Sequence, residues 1–145
     1  MNAPRRLCTF YLDGLFFGID VGRVREVFRN HSMTRVPLAP PVVRGLINLR
    51  GQIVTAMDLR DRFGLPARAT EEIPINVVVH TGEDAVSLLV DEIEDVLEVA
   101  EEDFEGPPAT LRGNARTLIQ GTYKLQNRLL LVLDTDEAIR LPSVD

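Results

Sequence analysis

"GLINLRGQIVTAMDLRDRF", Gly45 to Phe63, is the stretch on which the reading of this chain turns. Gly45 and Gly51 flank Leu46-Ile47-Asn48-Leu49-Arg50. An apolar, β-prone run follows and ends at Asp58. "LRDRF" then reads as one helical turn stopped by Gly64 and Pro66. A glycine lets the backbone turn sharply or approach another segment closely. Beside Gly51, Arg50 is not crowded by its neighbour. Its planar, five-donor guanidinium suits a carboxylate or the carbonyls of another chain. The plainer readings are a solvated arginine or an intramolecular pair with Asp58 or Glu26.

The same pattern returns 76 residues later in "GTYKLQNRLLLVLDTDEAI", Gly121 to Ile139, without a gap. Gly45 meets Gly121, Leu49 meets Leu125 and Asp58 meets Asp134. Ile53, Val54, Met57 and Phe63 meet Leu129, Leu130, Leu133 and Ile139. Upstream, "GIDVGRVREV" resembles "LVDEIEDV" once the spacing is shortened. Each half reads as strand, strand, connector, glycine turn, strand and short helical turn. The expected fold is mainly β: two pseudo-repeated five-stranded SH3-like or OB-like barrels with one or two short helices. The first subdomain would span residues 1–70 and the second 71–145, with strands exchanged between them. Neither half is long enough to bury much core alone, so the surface between them should be apolar.

Elsewhere, "CTFYLDGLFFGID" reads as a hairpin around Asp13-Gly14. "DVGRVREVF" places Val21, Val24 and Phe28 at helical spacing with Val27 beside them. This predicts a short amphipathic helix capped by Asp20. "INVVVHT" and "AVSLLVDEIEDVLEV" predict a hairpin around Gly82, "EEDFEGPPATLRGNAR" an exposed loop, and "NRLLLVLD" a buried strand.

Composition narrows the function classes. Of 145 residues, 45% are hydrophobic but only 6% aromatic, so the core must be aliphatic. The net charge of −6 and the lack of paired aromatics for base stacking disfavour a nucleic-acid-binding barrel, the rival class. The charge is split: residues 1–70 hold 11 Lys+Arg and 5 Asp+Glu, residues 71–145 hold 5 and 17. A basic half meeting the acidic half of a neighbour would give rings or strings. The acidic run Asp91–Glu105 lacks a calcium-loop spacing and reads first as the charged face of a strand edge, second as a dock for a basic partner.

Catalysis finds little support. His31 and His80 lie in no metal-ligand spacing, and neither a G-x-S-x-G elbow nor a phosphate-binding glycine loop occurs. Cys8, the lone cysteine, reads as a small packed residue. Asp58 and Asp134 are the best carboxylate pair, but their repeated position suits helix capping. No cofactor or metal is expected. No stretch reaches the ~18 apolar residues of a membrane span, so a cytoplasmic location is expected.

"RGLINLRGQIVTAMDLRDRFGLP" resembles the signature of the CheW-like family, the adaptors of bacterial chemosensory arrays. "FFGIDVGRVREVFR", "RVPLAPPVVRG", "VSLLVDEIEDVLEV" and "IQGTYKLQNRLLLVLD" match its other blocks in order, over about residues 7–139. The resemblance implies two intertwined five-stranded barrels and no catalysis. It implies coupling of a chemoreceptor's cytoplasmic tip to the regulatory domain of a CheA-type histidine kinase, with chemotaxis, surface motility and gene regulation as pathways served. Carried over by position, the receptor-facing groove would involve Val24, Glu26 and Val27 of the expected helix, and Gly45, Asn48 and Arg50 of the turn. The kinase would dock on an apolar end of one barrel that the resemblance does not place by residue. From the end of the sequence at Asp145 no receiver domain is expected, and the "EEDFEGPP" loop is more acidic than expected of a plain coupler.

Overall fold

The structure is a computed structural model that describes residues 4–29 and 32–141. Its strands are β1 (Arg5–Leu12), β2 (Leu15–Asp20), β3 (Val24–Arg29), β4 (Val43–Leu49), β5 (Gln52–Asp58), β6 (Ile75–Thr81), β7 (Asp84–Val90), β8 (Glu92–Val99), β9 (Ile119–Lys124) and β10 (Leu129–Leu133). Three short helices join them: α1 (Leu59–Arg62), α2 (Asn114–Leu118) and α3 (Thr135–Ala138). The strands form two five-stranded sheets. Sheet 1 runs β8-β1-β2-β10-β9 and sheet 2 runs β3-β6-β7-β5-β4.

The expectation of a mainly β fold in two five-stranded units holds, and the expected barrels are corrected. Each sheet is open, not a barrel closed by a backbone ladder. Side chains do the rolling. Phe28 of edge strand β3 and Leu49 of edge strand β4 pack on one small cluster of Val54, Val78 and Ala85. In sheet 1, Leu97 of β8 and Leu125 beyond β9 meet on Leu7, Phe16, Tyr123 and Leu130. Between the sheets lies the largest core. Phe10, Leu12, Phe17 and Ile19 of sheet 1 face Met57, Val77, Val79 and Leu88 of sheet 2, all nearly inaccessible. The apolar surface expected between two half-length units is this shared layer.

The repeat is structural to the level of single hydrogen bonds. β1, β2 and β3 correspond to β6, β7 and β8 at a constant offset of 69 residues: Val24 pairs with Val79 as Ile93 pairs with Phe10, and Val27 with Val77 as Val96 with Cys8. From β4 onward the offset is 76, because the link before β9 is longer. Gly45 faces Ala56 as Gly121 faces Val132. The Asp58 N–H donates to Val42 O at 2.8 Å, and the Asp134 N–H to Leu118 O at 2.7 Å. Each half, however, sends its first two strands into the other's sheet, so every sheet combines strands from residues 1–70 and 71–145.

The expected helix over 21–28 is a correction. Only Val21–Arg23 coils, as one 3₁₀ turn, and Val24–Arg29 is a strand paired with β6. A bulge at Arg25 inserts one residue between Val24 and Val27. It puts two valines three apart on one face of a strand, a spacing that imitates a helix. Asp20 makes no side-chain cap there; its carboxylate holds Arg5 at 2.8 Å.

Candidate docking site

The opening stretch folds as the β4–β5 hairpin. Its two-residue loop is Arg50-Gly51, with φ of +50° and +90°. Both being positive identifies a type I′ turn, whose twist matches that of the strands it joins. Asn48 steadies it: Oδ1 accepts the Gly51 N–H at 2.9 Å. The guanidinium of Arg50 is 73% exposed and pairs with Glu26 of β3. Next to it, Arg25 Nη1 donates to Gln52 Oε1 at 2.7 Å. Side chains alone thereby join edge strand β3 to the β4–β5 turn and the start of β5 at one corner of sheet 2.

Exposed apolar side chains accompany this corner. Val27 is 43% exposed and Ile53, at the start of β5, 59%. The six residues singled out from sequence therefore separate. Glu26, Val27, Asn48 and Arg50 belong to the corner. Val24, on a strand where a helix was expected, packs against the core between the sheets. Gly45 is buried farther along β4, where a Cβ would lie 2.8 Å from Thr34 O. Thr34 and Leu46 exchange backbone hydrogen bonds at 2.8 and 2.9 Å, so Gly45 is a glycine because a strap of its own chain crosses it. Ile53 was missed in sequence, although its match to Leu129 in the repeat marked it.

Leu129 belongs to a second apolar face. Parallel pairing of β10 with β2 sets Leu129 beside Leu15 at the end of sheet 1, and both are about two-fifths exposed. Lys124 stands opposite Leu129 on β9.

The candidate catalytic groups have structural employment. Asp58 and Asp134 precede α1 and α3, where their carboxylates accept the N–H of Arg60 at 3.0 Å and of Glu137 at 3.2 Å. Asp58 also holds Arg68 at 2.8 Å and Arg44 at 3.2 Å. Arg68 and Arg60 reach Asp91, at 2.8 and 2.6 Å, where the chain crosses from sheet 2 to sheet 1. Asp91 accepts the Asp13 N–H as well, at 2.8 Å. Burial alone would raise the Asp91 carboxyl; the hydrogen bonds from Arg60 and Asp13 and the charges of Arg68 and Arg60 hold it below its ordinary value. His80 Nε2 contacts Gly22 O at 2.7 Å, and His31 lies outside the described residues. Burial pushes the Cys8 thiol up, away from the thiolate a nucleophile needs. Among the described residues no three His, Cys, Asp or Glu are grouped to hold a metal ion, and no helix is long and apolar enough to cross a membrane. Of the acidic run Asp91–Glu105, Glu92–Val99 forms β8, an edge strand of sheet 1, and Glu101–Asp103 coils as a 3₁₀ turn. Thr9 Oγ1 donates to the Asp95 carbonyl at 2.5 Å within the β8 bulge.

Comparison with known proteins agrees with this arrangement. A family profile described as a CheW-like domain matches residues 6–142. The chain is 31% identical over 140 residues to the chemotaxis protein CheW of Bacillus subtilis, covering 96% of this chain and 89% of that protein. It is 29% identical to the protein of the same name from Klebsiella aerogenes, covering 95% and 83%. Among solved structures, the crystal structure of the scaffolding protein TtCheW from Thermoanaerobacter tengcongensis superposes with a TM-score of 0.82 at 28% identity, covering 91% and 90% of the two chains. Sequence, repeat topology and these likenesses agree: the chain belongs to the CheW-like family.

Proposed function

We propose that this chain is a non-enzymatic coupling adaptor, which holds a chemoreceptor's cytoplasmic tip on one surface and a CheA-type histidine kinase on another. It works in the cytoplasm and passes conformation between them through contacts alone. The ATP chemistry is the kinase's, so the adaptor needs no nucleotide, metal or cofactor.

The observation that carries the receptor assignment is the backbone of Arg50. Position one of a type I′ turn favours Asn, Asp or Gly, which tolerate φ above zero. An arginine held there at φ +50° with most of its guanidinium in solvent gives up local stability for what its side chain does. Glu26 holds that guanidinium, and Val27 and Ile53, each next in sequence to a residue of this corner, are exposed. Two exposed apolar side chains next to a charge-assisted donor suit one face of a helical hairpin. A contact this small binds weakly alone, and an array would supply the avidity. The Leu15–Leu129 face, at the end of the other sheet, is the surface we assign to the kinase. It is apolar, lies in a separate sheet, and leaves the Arg50 corner free.

Arg50→Asn tests the receptor side without disturbing the turn, since Asn suits the backbone. Capture of a receptor-tip fragment should fall at least about tenfold, and further for Arg50→Glu, which sets two carboxylates together. Kinase capture should stay within about twofold. Equal loss of both partners would refute the separation of surfaces.

A further inference from the structure

Past the ends of β5 and β10 the two halves meet through their short helices, and one arginine there lacks a counter-charge. Among the described residues five arginines are not fully exposed. Arg5, Arg23, Arg60 and Arg68 each hold a carboxylate at 2.8 Å or less. Arg62 of α1 holds none among the described residues. Its Nε–H donates to Ala138 O at 3.0 Å and its Nη2 to Arg140 O, both carbonyls of the other half. Nη1 has no acceptor among the described residues. Burial holds the guanidinium below its ordinary value, and the charges of Asp61 and Glu137 oppose this only in part. The repeat shows what is peculiar to this seam. At the offset of 76, Asp61 matches Glu137, so the two acids are a symmetric pair. The two arginines are not: Arg62 matches Ala138, and Arg140 matches Gly64. A cavity of about 370 Å³ opens beside Arg62, with Asn114, Leu118 and Arg140 in its wall. A smaller one of about 160 Å³ shares Arg62 and Asn114 with it.

We propose that the larger cavity binds a small organic oxyanion, a carboxylate or a phosphoryl group on a compact carbon body. Arg62 Nη1 and the Arg140 guanidinium supply charge-assisted donors, and the Asn114 amide a neutral one. Glu137 also lines the cavity, but its carboxylate is already paired with Arg140 at 2.9 Å. Asp61 lies on the smaller cavity. Leu118, almost wholly buried, and Leu141 give an apolar wall for the carbon body. Small-ligand sites span roughly 300–1,000 Å³ and combine such walls with a few convergent polar groups. A ligand held here touches α1 of the first half and α2 and α3 of the second, so it fastens the seam between them. The site is separate from both surfaces assigned above. Arg50 and Leu129 stand at the starts of β5 and β10, whereas α1 and α3 follow the ends of those strands.

Amide NMR titrations of the full chain with sodium phosphate and, separately, with citrate test this, with ionic strength held constant by chloride. Saturable shifts of the Arg62, Asn114 and Arg140 amides are expected, with a Kd below about 10 mM for at least one of the two anions. Tighter citrate assigns a carboxylate ligand, and tighter phosphate a phosphoryl one. Arg62→Gln should weaken binding at least about tenfold, and Arg140→Gln at least about threefold. Arg116→Gln removes an exposed arginine of α2 that does not line the cavity, and should leave affinity within about twofold of wild type. General attraction to positive charge would instead fall alike in all three variants. The Arg140 side chain is 70% exposed, so Arg140→Gln leaves the fold intact and decides the matter where Arg62→Gln fails to fold. No saturable shift by about 10 mM of either anion, Arg140→Gln binding as wild type does, or equal loss in Arg116→Gln would each overturn the inference. Neither receptor nor kinase is present in this experiment, so its failure leaves the coupling reading standing, and failure of that reading leaves this one standing.

Discussion

Gly121 should tolerate no side chain, and the cost can be built from its surroundings. A Cβ there would lie 2.3 Å from Glu105 O and 2.3 Å from Phe104 Cζ. The ring can swing aside; a backbone carbonyl cannot move without carrying its strand. Gly121→Ala must therefore lift the segment that crosses β9. That lift breaks the Glu105 N–H to Thr122 O bond of 2.9 Å and its 2.8 Å reciprocal, at about 1 kcal/mol each. It also parts Phe104 from the Tyr123 ring, 5.3 Å away, and from Arg5, at about another 1 kcal/mol. The sum is about 3 kcal/mol. Gly45→Ala meets the equivalent carbonyl, Thr34 O, at 2.8 Å, and should cost less, about 1–2 kcal/mol. Gly22 has no heavy atom within 4 Å of its would-be Cβ and no positive φ, so Gly22→Ala should be neutral or stabilise by a few tenths of a kcal/mol, through lost freedom of the unfolded chain. Urea unfolding, read from midpoints at constant slope, measures all three. Gly121→Ala within about 0.5 kcal/mol of wild type, or an order in which Gly22→Ala costs most, would refute the strap argument.

Asp91→Asn removes the anion that Arg60 and Arg68 share, and should cost about 3 kcal/mol at neutral pH. Because the folded carboxyl is held below its ordinary value, its contribution is complete above pH ~4 and lost as pH falls through the folded pKa. The gap in stability between wild type and variant should therefore narrow on acidification from pH ~6 to ~2.5, and a constant gap would contradict the ion network. Leu129→Asp puts a charge on the exposed end of sheet 1. It should leave unfolding within about 1 kcal/mol of wild type while reducing kinase capture at least tenfold, with receptor capture unchanged.

The periodicity of the chain carried most of the fold. The ungapped match of Gly45–Phe63 to Gly121–Ile139 foretold two equivalent apolar strands and two Asp-capped turns, since each motif is local and keeps its signal within a few residues. The failure at Val21–Phe28 came from a bulge. One inserted residue turns a two-residue period into a three-residue one, and neither Arg25 nor its neighbours announce it. The open edges were illegible for another reason: whether a rolled sheet closes by backbone or by Phe28 and Leu49 depends on contacts between distant strands. Of the candidate site, Arg50 and Glu26 were nameable, and their pairing was one of several open readings. Gly45 shows the opposite case. A glycine required by the chain's own strap carries the same letter as a glycine that admits a partner, and only the Thr34 carbonyl distinguishes them.

The account rests on one chain holding two partners at once through separate faces. The direct measurement is capture of a CheA-type kinase on beads bearing a receptor-tip fragment, with and without this protein. Kinase should be retained only when the wild-type chain is present, and lost both with Arg50→Glu, which stays with the kinase in solution, and with Leu129→Asp, which stays on the beads alone. Kinase retained equally without the chain, or with both variants, would contradict it.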